Sequence, residues 1–138
     1  RRLRRRAKAL GDAVIFTGFI QSDRLPHYYV AADVAIVPSM WGEPFGKVVA
    51  EAMASALPVV GSRRGAIPEL IEDDVMGTLV DNPENVEVLA QSIIDLLEDG
   101  DLRKTMGLAA RVKAEREFAT DVRLQRLRKF YKGIEAGG

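Results

Sequence analysis

Two glutamates eight positions apart, Glu43 and Glu51, close off the stretch Glu43-Pro44-Phe45-Gly46-Lys47-Val48-Val49-Ala50-Glu51. Each carboxylate can accept two neighbouring hydroxyls. Between them lie the parts of an anion site. Pro44 suits a first helical position, where its missing N–H costs nothing. Gly46 lets a ligand approach the backbone. The free N–H groups of a first helical turn then face an anion, with phosphate the best fit. Lys47 is within reach of it. Carboxylates repel phosphate, so Glu43 and Glu51 are expected to bind hydroxyls around it. Hydroxyls on both sides of a phosphate describe a nucleotide-sugar. Plainer roles exist for each residue. Glu43 could simply complement a helix dipole. Glu51 could pair with Lys47, four residues earlier on the same helix face.

The elements around this stretch must place it at the end of a strand and the start of a helix. The run Asp33-Val34-Ala35-Ile36-Val37 reads as a buried strand, and a helix follows the loop, to about Ser55. Further strands are expected at Ala13–Thr17, Pro58–Gly61 and Gly77–Val80. Helices are expected at 2–10, from Ser22 or Asp23 to Ala31, and at about Ile67–Ile71. The last third reads as helix throughout, at Glu84–Glu98, Asp101 to about Phe118, and Asp121 to about Glu135. Val86, Leu89, Ala90, Ile93, Ile94 and Leu97 form an apolar helical stripe. Strands that alternate with helices and lack strict polar alternation imply an α/β fold. The expectation is one domain over 1–138, a Rossmann-like parallel sheet of about four strands with flanking helices. The loop Thr17-Gly18-Phe19-Ile20 would lie at a strand's carboxyl end, where open α/β sheets bind ligands.

Composition narrows the function. The 138 residues carry 20 Lys plus Arg and 20 Asp plus Glu, so no net field favours nucleic acid. No cysteine is present, which excludes disulfides and cysteine metal sites and is compatible with a cytoplasmic setting. There is no Asp-x-Asp and no clustered histidine, so no metal or other cofactor is expected. His27, the one histidine, reads as a surface residue. Glu69 reads as a brace for the fold. The start Arg1-Arg2-Leu3-Arg4-Arg5-Arg6 lacks the apolar core of a signal peptide. It reads as a solvated helix face, with contact to anionic lipid at a membrane surface as the other option.

The stretch Pro38-Ser39-Met40-Trp41-Gly42-Glu43-Pro44-Phe45-Gly46-Lys47-Val48-Val49-Ala50-Glu51-Ala52-Met53-Ala54 resembles the signature of family 4 retaining glycosyltransferases, which have the two-domain glycosyltransferase B fold. The resemblance continues, in order, through Leu57-Pro58-Val59-Val60-Gly61, Gly65-Ala66-Ile67-Pro68-Glu69, Gly77-Thr78-Leu79-Val80, Met106-Gly107 and Glu117-Phe118. It implies the donor-binding, C-terminal domain. In such enzymes the backbone near Phe45, Gly46 and Lys47 meets the donor sugar and its β-phosphate. Glu43 binds the sugar's hydroxyls near its third and fourth carbons. Glu51 binds both ribose hydroxyls, and the loop at Gly18 and Phe19 borders the nucleobase.

The chain also departs from the pattern. The family domain opens with two further strands whose basic Gly-Arg and Lys-Gly segments hold the diphosphate, and nothing before Ala13 matches them. The acceptor domain is not in this sequence. The strands at Ala13–Thr17 and Asp33–Val37 are therefore expected to pair directly or to be completed by another chain, including a second copy. Catalysis needs the acceptor domain and closure of a cleft, so the chain alone is expected to be inactive. The alternative is a non-catalytic nucleotide-binding or assembly module that pairs with another chain. Two family glycines appear as Ala56 and Ala66. Ala56 is expected to cost little, and Ala66 to sit where the loop needs a positive φ.

Overall fold

Val59, Val60, Gly61 and Ser62 are buried at every position, as a strand covered on both faces must be. This strand, β2 (Val59–Ser62), is the middle of a three-stranded parallel sheet in the order β1-β2-β3, with β1 at Ala35–Val37 and β3 at Gly77–Val80. Ala35 lies opposite Val59 on one side, and Val59 opposite Gly77 on the other. The computed structural model describes residues 2–122 together with 124, 125, 128 and 129.

Helices cover both faces. Of α1 (Arg2–Ala7), α2 (Leu25–Val30), α3 (Lys47–Ala54), α4 (Ile67–Leu70), α5 (Val86–Glu98) and α6 (Gly100–Phe118), the last four pack on the sheet, and a 3-10 stretch spans Lys8–Ala13. Val59 points into a core with Val49, Ala52 and Met53 of α3, Ile67, Leu70 and Ile71 around α4, and Ala110 and Ala114 of α6. Val60 points the other way, against Val80, Leu96 and Met106. The two long helices start within two residues of the expected Glu84 and Asp101, each behind a side-chain cap. Asn85 accepts from the amides of Glu87 and Val88 to begin α5, and Asp99 accepts from Leu102 to begin α6. Arg103 of α6 donates to the carbonyl of Leu96 at 2.8 Å and to that of Leu97, satisfying the end of α5.

Helix α3 ends in a Schellman turn. The amide of Leu57 bonds to the carbonyl of Ala52, and that of Ala56 to Met53, both at 3.0 Å. Ala56 takes the left-handed conformation this turn requires, with φ 56°. Ala66 has an ordinary right-handed φ of −78°, and the positive φ of that loop, 57°, falls on Gly65. The expectation for the two alanines is thus reversed.

The expected strand at Ala13–Thr17 does not form. A strand needs a neighbour for its N–H and C=O groups. Among the described residues β1 pairs with β2 alone, so its other edge has no strand beside it. Residues 13–17 and 33–37 do not pair directly. Ile15 is 82% exposed, and Phe16 meets the Arg4 guanidinium at 4.8 Å from its ring centre. The sheet therefore has three described strands, against about four expected. The helix expected at 2–10 is α-helical to Ala7 and then 3-10, and Gly11 leaves helical geometry just beyond it. The helix expected at Asp121 to about Glu135 falls mostly outside the described residues.

Candidate functional site

Helix α3 begins at Lys47, later than Pro44 predicts. Pro44 and Phe45 lie in the loop, and Gly46 is the N-cap, left-handed at φ 74° with no side-chain cap. A β-carbon on Gly46 would stand 2.8 Å from Leu70 Cδ1. Glycine is required there by both backbone and packing, so ligand approach is not the only reason for it. Helix geometry leaves the first-turn amides, from Lys47 onward, facing away from the helix. Glu51 is the fifth residue of α3, just over one turn in.

Each glutamate is held by a hydroxyl from elsewhere. Ser39 Oγ, almost fully buried at the end of β1, donates to Glu43 Oε1 at 3.2 Å. Tyr29 Oη on α2 donates to Glu51 Oε2 at 3.0 Å. Lys47 Nζ stands 3.4 Å from Glu51 Oε1, so the intrahelical ion pair is present. Lys47 is 75% exposed, and such a pair contributes only about 0.3–0.5 kcal/mol. Tyr29's phenol is pushed up to about 12, first by burial, then by its hydrogen bond to Glu51 and by the charge of that carboxylate.

The loop carrying Glu43 is fastened to the loop after β2. The amide of Ala66 donates to the Glu43 carbonyl at 2.8 Å. A β-carbon on Gly65 would lie 2.4 Å from the Glu43 nitrogen, so only glycine allows the two backbones to touch. Arg64 completes the join. Its Nη1 donates to the Met40 carbonyl and its Nη2 to Glu84 Oε1, both at 2.7 Å. Glu84 is held below the ordinary carboxyl value, first by its own backbone amide and then by Arg64. Sequence reasoning did not single out Ser39, Tyr29 or Arg64. Ser39 lay within the signature stretch, but Tyr29 and Arg64 reach residues 22 and 24 positions away.

Grooves flank Glu51 on two sides. One, of about 300 Å³, is lined by Phe45, Lys47, Ala50 and Glu51 with Ala114, Glu115 and Phe118 at the end of α6. The other, of about 310 Å³, is lined by Leu25, Pro26, Tyr29, Glu51, Ala54 and Ser55. Gly18 and Phe19 are not brought to either. Phe19 is 92% exposed and borders a separate hollow with Thr17, Gln21, Arg24 and Tyr28. Without a strand at 13–17, that loop does not lie at a strand end. His27 is exposed, as expected for a surface residue. Among the described residues, no helix is long and apolar enough to cross a membrane.

The profile of the family described as "Glycosyl transferases group 1" matches residues 1–113. The chain belongs to the group 1 glycosyltransferases. Spore coat protein SA of Bacillus subtilis is 37% identical to it over 107 residues, 78% of this chain and 28% of that protein. Sucrose-phosphate synthase from Thermosynechococcus elongatus superposes with a TM-score of 0.90 at 32% identity, over 99% of this chain and 34% of that one. Anabaena HepE, in complex with UDP, superposes with a TM-score of 0.87 at 30% identity, over 96% of this chain and 36% of that one. The chain thus spans about a third of the proteins it resembles. The parallel sheet with flanking helices is the arrangement found in glycosyltransferase B structures, and it brings Glu43, Gly46 and Glu51 of this group 1 glycosyltransferase to the end of β1 and the start of α3.

Proposed function

We propose that this chain is the donor-binding part of a family 4 retaining glycosyltransferase. The reaction is transfer of a sugar from a nucleotide-diphosphate sugar to an acceptor, with the anomeric configuration kept. The observation that carries this reading is the pair of held carboxylates on one loop-and-helix unit, Glu43 anchored by Ser39 and Glu51 by Tyr29, with a helix N-terminus between them. The UDP complex of HepE supports a nucleotide donor. Glu43 accepts hydroxyls of the donor sugar, and Glu51 accepts the ribose hydroxyls after Lys47 gives way. The first-turn amides of α3 face the phosphate between them. Charge that develops on the leaving diphosphate is stabilised there by fixed N–H groups without a metal. Acceptor binding belongs to a further domain, so turnover requires more than these 138 residues.

Trp41 supplies an assay. It is the chain's one tryptophan, it is 66% exposed, and it lies two residues before Glu43 on the same loop. Its fluorescence can be titrated with a nucleoside diphosphate and with the matching nucleotide-sugar. Glu51→Ala should weaken both ligands by roughly 1.5–3 kcal/mol, the worth of a hydrogen bond to a charged group. Glu43→Ala should leave the diphosphate nearly unchanged and weaken the sugar-bearing form alone. Equal losses from both variants on both ligands would remove the assignment of sugar to Glu43 and ribose to Glu51.

A non-catalytic assembly module is the second reading. The open edge of β1 and the exposed Ile15, Phe19 and Ile36 favour it. Failure of every nucleoside diphosphate to bind, together with a stable dimer, would select it.

A further inference from the structure

Helix α2 carries three adjacent ring side chains, and they part company. His27 and Tyr28 face solvent. Tyr29 turns inward, packs against the core formed by α3 and α6, and gives its one O–H to Glu51 Oε2 at 3.0 Å. The other oxygen of Glu51 faces Lys47 at 3.4 Å. The two partners differ in kind. A half-buried phenol ring packed against a core has two side-chain torsions and little freedom. A lysine head on an exposed four-carbon stem is readily displaced.

From this contrast we infer that Tyr29 is a positioning residue for the donor. It holds Glu51 through Oε2, so that Oε1 and the remaining lone pair of Oε2 stay aimed at the two vicinal ribose hydroxyls, with Lys47 as the partner that yields. This rests on the reading of Glu51 as the ribose-binding carboxylate.

The chemistry of the pair fits. A carboxylate has about four acceptor positions, so one spent on Tyr29 leaves enough for two hydroxyls. Without a fixed donor, Glu51 is free to turn toward Lys47, and it would have to be reordered at each binding event. Tyr29 does not reach the ribose as a donor itself, because its single proton is already committed to Glu51. A phenol keeps that proton at neutral pH.

Tyr29→Phe removes the hydroxyl and keeps the ring. The probes are whichever of UDP, ADP and GDP binds most tightly and its 2′,3′-dideoxy counterpart, read by Trp41 fluorescence on the whole chain. The parent should prefer the ribose form by about ten-fold or more, and Glu51→Ala should erase that preference. Tyr29→Phe should cut the preference at least three-fold while leaving the dideoxy affinity unchanged. Tyr28→Phe, at the exposed neighbour, should keep it whole. A positioning role predicts this selective loss, whereas a general packing defect weakens both probes equally. Full preference in Tyr29→Phe, with loss in Glu51→Ala, overturns the inference and leaves the ribose reading standing. Full preference in Glu51→Ala, or none in the parent, overturns the ribose reading and this inference with it. A crystal structure of Tyr29→Phe gives a test without ligand. The Glu51 carboxylate should turn from its parent position toward Lys47, and an unmoved carboxylate also overturns the inference.

Discussion

Ala56 occupies the position after the C-cap of α3, where a Schellman turn demands a left-handed residue and usually finds glycine. The turn is complete, with both of its hydrogen bonds at 3.0 Å, so the chain accepts the β-carbon rather than abandoning the motif. Leu57, the next residue, is 96% removed from solvent, and this buried side chain holds the turn in place. Left-handed geometry costs an ordinary L-residue roughly 1–2 kcal/mol. Replacing Ala56 by glycine recovers that strain but adds about 0.4–1 kcal/mol of unfolded-chain entropy. The net gain should be about 0.5–1 kcal/mol, or roughly 2–3 °C in Tm for a chain of this length. Urea unfolding followed by circular dichroism would measure it. Ala66→Gly is the matched control. Ala66 is right-handed, so only the entropy term applies and stability should fall by about 0.4–1 kcal/mol. A loss in Ala56→Gly, or a gain in Ala66→Gly, would refute this account of the two turns.

Arg64→Met should unfasten Met40 from Glu84 and loosen the Glu43 loop. A faster-exchanging Ala66 amide in hydrogen-exchange NMR, with several-fold weaker binding of nucleotide-sugar but not of free diphosphate, is the expected pattern. Tyr29 carries a pH signature. Its folded-state pKa lies above its unfolded value near 10, so the stability it contributes is complete below pH 10 and is lost as pH rises through about 12. Tyr29→Phe should flatten the stability profile between those values. The open edge of β1 should drive self-association, and light scattering across a dilution series should find dimers or larger species that Ile36→Lys returns to monomers. Donor affinity of the isolated chain should be weak, on the order of millimolar, or about −4 kcal/mol. Micromolar affinity would show that the site is self-sufficient.

The sequence made β1 to β3, α3 and α5 legible because each carries its own signal, a short apolar run or a helical stripe, and α6 was placed to within a residue of its start. The placing of Glu43 in a loop and Glu51 on the following helix was legible from the apolar run before them and the glycine between them. What holds those glutamates was not. Tyr29 reaches Glu51, and Arg64 reaches Met40, through tertiary contacts that no local pattern announces. Ala13–Thr17 has the composition of a strand but not the neighbour, and a strand is a property of the pair. Pro44 pointed to a helix start that Gly46 sets instead, because its left-handed backbone breaks the geometry before Lys47. Ala56 and Ala66 were misread for a related reason. Which loop residue turns left-handed depends on where the preceding element ends, α3 for Ala56 and β2 for the loop of Gly65 and Ala66, and element ends are the least local part of the pattern.

The bond between Tyr29 and Glu51 joins two parts of very different permanence. Helix α2 has no buried residue, while α3 contributes Val49, Ala52 and Met53 to the innermost core. Segments with so little burial open by sub-global unfolding long before the whole chain does. The carboxylate thus stands on the most deeply buried helix, and its anchor on a helix of lesser burial whose Tyr29 alone among its ring residues packs on that core. Occupancy of the donor groove should therefore be felt as slower exchange of the α2 amides, and loosening α2 should be felt as weaker binding.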